Sequence, residues 1–163
     1  MSAWLRWLWG TAADASLVCS QLDTWAGLMD WWSPKSSSKR SLRVCRDKAA
    51  EQGHTSAQFN LGSMYDDGRG VVQDYKEAVK WYRKAAEQGD AGAQYNLGVM
   101  YLHGTGVIED YVYGRMWLII ASMSGHKEAI KVQKEYLKEM PVTDIATANQ
   151  LARKCVLKKY KGC

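Results

Sequence analysis

The sequence predicts an all-α fold, a right-handed α-solenoid of antiparallel helix pairs, on three observations. Residues 50–85 and 86–121 align without gaps at an offset of 36 residues, and 18 of the 36 positions are identical. A fixed period of this size marks a stack of supersecondary units, each too small to bury its own apolar face. Within each copy the apolar residues recur at helical spacing, and glycines return one period apart, where the helices must end.

Each unit reads as a helix, a glycine-rich turn and a second helix. On the first helix Ala57, Leu61, Met64 and Tyr65 recur as Ala93, Leu97, Met100 and Tyr101, and the 4, 3, 1 spacing makes one face. Gly62 and Gly98 sit beside that face and permit close approach of a neighbour. Gly68 with Gly70, and Gly104 with Gly106, break the helix into a loop. Asp74 and Asp110 stand where the next helix needs a cap, and Glu77 follows Asp74 by three. Ala78, Trp81, Tyr82, Ala85 and Ala86 form the stripe of the second helix, and Gly53, Gly89 and Gly125 close successive units. Asn60 and Asn96, identical in both copies, read as scaffold whose amides satisfy backbone near the turn.

The repeated motif L-G-x-x-Y-x-x-G-x-G-V-x-x-D-Y, at 61–75 and again at 97–111, resembles the Sel-one-like repeat, a relative of the tetratricopeptide repeat. The resemblance covers roughly residues 42–125. It implies helix pairs whose first helices line a concave groove, and a role as adaptor or scaffold; many such proteins are bacterial, including those of pathogens. One secreted branch of the family staples each repeat with a disulfide between residues eight apart. The matching positions here are Ala50 with Gln58 and Ala86 with Gln94, so that staple is absent.

The flanks depart from the motif. Residues 1–41 are a non-repeat segment holding six of the eight tryptophans, with a serine-rich linker from Ser33 to Ser41. Val18, Leu22, Trp25, Met29 and Trp32 would form an amphipathic helix, read as a cover for the open end of the stack. Two alternatives for residues 1–32 are an interfacial membrane anchor and a weak signal-like start. Residues 42–53 read as a partial repeat helix, 54–89 and 90–125 as full repeats, and 126–163 as divergent capping helices. In that last segment Pro141 separates two helices, the second striped by Ile145, Ala148, Leu151, Ala152 and Cys155.

At 163 residues with a formal charge of +5, the chain is one globular domain by length. The excess of cations lies at the end, in Arg153, Lys154, Lys158, Lys159 and Lys161. A solvated helix face, favoured by the helix dipole near its C-terminus, explains it better than a nucleic-acid or anionic-lipid patch. Four cysteines are present: Cys19, Cys45, Cys155 and Cys163. On one continuous helix Cys155 and Cys163 would stand about 12 Å apart, beyond disulfide reach; only unwinding near Gly162 would join them. The expectation is free thiols, hence a cytoplasmic setting over a periplasmic or secreted one.

A search for chemistry returns little. His54 and His126 are two units apart, and no His and Cys pair has zinc-ligand spacing. The G-x-G loops follow no strand and recur as scaffold, so they are not phosphate cradles. Asp66 and Asp67 read as a solvated turn. No cofactor or metal is expected, nor is catalysis. The alternative of β-lactam binding or hydrolysis, implied by the cysteine-rich branch, lacks a Ser-x-x-Lys motif here. The expected function is a protein–protein interaction scaffold. By the resemblance, first-helix positions that differ between the copies face a ligand: Ser56, Phe59 and Ser63, with Gly92, Tyr95 and Val99. They would receive a protein or peptide segment, and self-association is a second use of so short a stack.

Overall fold

The chain divides into two compact units, Met1–Ala49 and Ala50–Cys163. A computed structural model describes residues 46–163 other than 137 and 139. The tryptophan-rich helix, the linker, the signal and anchor readings, Cys19 and Cys45 therefore lie outside the described residues.

Every regular element among the described residues is helical. After helical residues 46–51 come α1 (Thr55–Asp67), α2 (Tyr75–Ala86), α3 (Ala91–His103), α4 (Tyr111–Met123), α5 (Lys127–Tyr136) and α6 (Val142–Leu157). The predicted caps form. Asp74 Oδ1 accepts from Lys76 and Glu77 N–H at 2.9 and 3.2 Å, and Asp110 Oδ1 from Tyr113 N–H at 2.9 Å. Asp90 caps α3 through Ala93 N–H at 2.7 Å. His54, at the same place in the preceding repeat, makes no side-chain cap bond to α1.

The principal packing runs α1 on α2, α2 on α3 and α3 on α4, the order of an α-solenoid. Gly98 allows α3 to reach α4. A Cβ there would stand 3.0 Å from both the Gly114 carbonyl oxygen and Leu118 Cγ. The core gathers Tyr82, Leu97, Met116, Trp117 and Ile120 with the alanines of the second helices. Position in the stack changes what identical residues do. Trp117 is 1% exposed, whereas Trp81, one period earlier, is half-buried beneath the Lys84 ammonium, 3.9 Å from its ring centroid.

The last two helices do not repeat the hairpin. Both α5 and α6 pack on α4. Ala148, Ala152 and Cys155 are the buried residues of the predicted α6 stripe, with Ile145 and Leu151 half-buried beside them.

The cysteine expectation fails at this end of the chain. Cys155 and Cys163 are joined, with Cα atoms 5.5 Å apart. The assumption of one continuous helix was at fault: α6 stops at Leu157, Lys159 and Tyr160 take φ of 53° and 66°, and Gly162 takes 65°. Left-handed residues there turn the chain back on itself. The turn sets the Tyr160 ring beside Gly89, where an added Cβ would meet it at 3.4 Å. With this pair oxidised, the basis for expecting a reducing compartment is gone.

A different link occupies the two positions where the resemblance puts a disulfide in the cysteine-rich branch. Gln58 Nε2 donates to the Ala50 carbonyl at 3.0 Å, and Gln94 Nε2 to the Ala86 carbonyl at 3.2 Å. A buried amide thus ties each first helix to the end of the helix before it, by a hydrogen bond rather than a covalent bond.

Candidate partner-binding groove

The six first-helix positions singled out in the sequence divide into two groups. On α1, Ser56 is exposed and makes no contact that recruits it to a site. Phe59 is an internal packing residue. Its ring lies 5.8 Å from that of Tyr82, and its Cε2 would be 3.1 Å from a Cβ on Gly92. Gly92 is therefore the seat of Phe59. Ser63 Oγ donates to Asp67 Oδ2 at 3.3 Å and accepts from Arg69 Nη2 at 2.9 Å, while Arg69 also pairs with Asp67 at 2.6 Å.

Close by, the buried Tyr82 hydroxyl donates to Asp66 Oδ2 at 3.3 Å and is also hydrogen-bonded by Asn96. Burial, and then the Asp66 charge, push its titration well above the ordinary phenol range. Burial likewise raises the Asp66 carboxyl, against the hydrogen bond from Tyr82 that favours its ionised form. Asp66 is thus part of the packing and not merely a solvated turn residue. Asn60 is exposed and Asn96 serves a tyrosine side chain, so neither has the backbone role expected of it.

The other two positions come together. Tyr95 and Val99 on α3 line a groove of about 370 Å³ with His103, and its opposite wall is Val132, Glu135 and Tyr136 on α5. The groove thus runs between first helices of successive units. Its aromatic walls are braced. Tyr95 stacks on His126, centroids 4.6 Å apart and planes 18° from parallel. Tyr136 meets His103 edge-on at 6.2 Å and Tyr111 at 6.4 Å. Beneath lie Leu102, Leu118, Ala121 and Ala129.

His103, Val132, Glu135 and Tyr136 were not among the positions singled out in the sequence, and the last three lie on α5. The signal was present: at the 36-residue offset these three continue Asn96, Val99 and Met100. It was hidden because α5 keeps the register without keeping the motif. A second hollow of about 400 Å³, lined by Tyr101, Val107, Ile108, Asp110 and Tyr113, lies at the loop edge. Its one carboxylate already caps α4.

Among the described residues no group of three or more His, Cys, Asp or Glu could hold a metal ion. No described helix is long and apolar enough to cross a membrane.

Paired helices, left-handed turns at a fixed period and a groove between first helices define a helical-repeat protein. The Sel1 repeat model matches residues 55–90 and 91–126, so these two units are Sel1 (Sel-one-like) repeats. Proteins of this family generally mediate protein–protein interaction.

Two solved structures share the fold. A protective antigen of uropathogenic Escherichia coli, c5321, displays an SLR fold; it is 30% identical with a TM-score of 0.73, over 91% of this chain and 31% of its own. A Sel1 repeat protein from Oxalobacter formigenes is 38% identical with a TM-score of 0.59, over 60% of this chain and 28% of its own. Among curated proteins, an exopolysaccharide production negative regulator from Rhizobium leguminosarum bv. viciae is 56% identical over 34 residues, 21% of this chain and 13% of the regulator. This chain therefore spans about a third or less of the relatives it matches.

Proposed function

We propose that this protein is a non-catalytic scaffold that binds a segment of a protein partner in the groove between α3 and α5. The observation that carries the reading is the braced aromatic wall. Tyr95 and Tyr136 are held by His126, His103 and Tyr111 without being fully buried. Aromatic rings fixed in advance lose little freedom when a partner docks, so contact area translates into affinity. A negative regulator among the relatives is in keeping with a protein that acts by binding.

The test is site-specific photo-crosslinking in the native cell, with the reactive side chain placed at Val99 in one variant and at exposed Arg153 on α6 in another. A partner captured from position 99 and absent from 153 is the expected result. Equal capture from both, or none from 99, would remove the groove as the binding surface.

A further inference from the structure

Resting on the groove reading, we propose that this groove selects its partner segment through one arginine side chain, received by Glu135 and the rings of Tyr95 and Tyr136. Of the six lining residues, Glu135 alone carries a formal charge at neutral pH with histidine neutral. Among the described residues its carboxylate has no hydrogen bond or ion pair. Lys131 and Lys138 stand four residues before and three after it, yet neither pairs with it.

Glu128, Val132, Glu135 and Tyr136 follow one another at 4, 3 and 1, and so share a face. Lys131, four residues before Glu135, is its neighbour on the helix surface but does not line the groove. The lining thus presents one carboxylate and no lysine or arginine. Glu128 does not line the groove, which leaves Glu135 as the carboxylate available there.

An exposed carboxylate beside braced phenol rings is complementary to a guanidinium, which forks onto carboxylate oxygens and stacks its plane on an aromatic face. At about 370 Å³ the groove lies near the small end of ligand sites, a size for one long side chain. Val99 and Val132 would cover its methylene stem.

The test uses the full chain against a displayed library of random twelve-residue peptides. Enriched sequences are then resynthesised with a fluorophore and titrated by anisotropy. The proposal expects one arginine in common. Replacing it by citrulline should weaken binding about tenfold on the wild type and by less than about twofold on Glu135→Gln. His103→Lys, which sets a like charge in the groove at an exposed position, should abolish binding while leaving circular dichroism unchanged.

Peptides lost on His103→Lys but without a shared basic position would overturn the arginine proposal and leave the groove reading standing. Peptides that bind His103→Lys as well as the wild type, or no enrichment at all, would overturn both. Citrulline weakening of equal size on wild type and Glu135→Gln would remove Glu135 from the site.

Discussion

The Tyr82 hydroxyl donates to the Asp66 carboxylate across 3.3 Å, and one repeat later both positions are leucine, Leu118 and Leu102. Asn96, also on that hydroxyl, and Ser63, bonded to Asp67 and Arg69, give way to Val132 and Val99. One set of four positions is thus a hydrogen-bonded cluster in one inter-repeat layer and part of an apolar cluster in the next. A layer of either kind is self-consistent, whereas a mixed one would bury polar groups without partners.

The layers should therefore exchange only as wholes. Tyr82→Leu alone is expected to cost about 2 kcal/mol or more, because Asp66 and Asn96 lose their partner and a gap opens beside Gly62. The fourfold exchange Ser63→Val, Asp66→Leu, Tyr82→Leu, Asn96→Val should recover most of that loss. Urea unfolding of the two variants measures the difference; a fourfold variant less stable than the single one would show that the clusters are not interchangeable.

The glutamine ties differ in one respect that a single change can repair. Gln58 Oε1 accepts from Gln88 Nε2 at 2.6 Å, but the buried Gln94 Oε1 has no partner. The residue that should serve it, 36 positions after Gln88, is Ser124, whose hydroxyl bonds to the Ile120 carbonyl instead. Ser124→Gln restores the missing amide and is expected to stabilise by about 1 kcal/mol. Chemical denaturation would show this, and the gain should vanish in a Gln94→Leu background.

The bridge at the end of the chain holds Tyr160 against the turn that joins α2 to α3. Cys163→Ser should lower stability by about 2 kcal/mol, since the unfolded chain regains the freedom the link had removed. Thermal melting with and without reductant separates this bond from other thiol chemistry: the wild type should lose stability on reduction, and the variant should respond much less.

Two glycines at one repeat position predict unequal costs. Both take left-handed φ, 75° at Gly70 and 72° at Gly106. A Cβ on Gly70 would touch the Met64 methyl at 3.5 Å, an ordinary contact. A Cβ on Gly106 would stand 2.5 Å from the Tyr75 carbonyl oxygen, where the second loop rests on the start of α2. Gly106→Ala should therefore exceed Gly70→Ala in cost by about 1–3 kcal/mol. Equal melting temperatures for the two would mean that this loop contact yields without strain.

Much of the architecture was legible in the residues because the chain states it twice. Helix spacing, Asp74 and Asp110 as caps, and left-handed Gly53, Gly89 and Gly125 are local features, decided by backbone sterics and short-range hydrogen bonds. The candidate groove was half legible, for Tyr95 and Val99 stood out by differing between copies. Phe59 stood out for the same reason and proved to be packing, because difference between repeats does not distinguish a free surface from a changed neighbour.

What the sequence determined by itself is the unit: two helices, their stops and their apolar faces, all set within a few residues. Tertiary structure alone decided what each unit meets. It buried Trp117 and left Trp81 half-covered, set Tyr136 across from Tyr95, and brought Cys155 to Cys163 by ending α6 at Leu157. The reason is physical. Helix formation depends on neighbours three and four residues away, but burial and pairing depend on which element arrives from far along the chain.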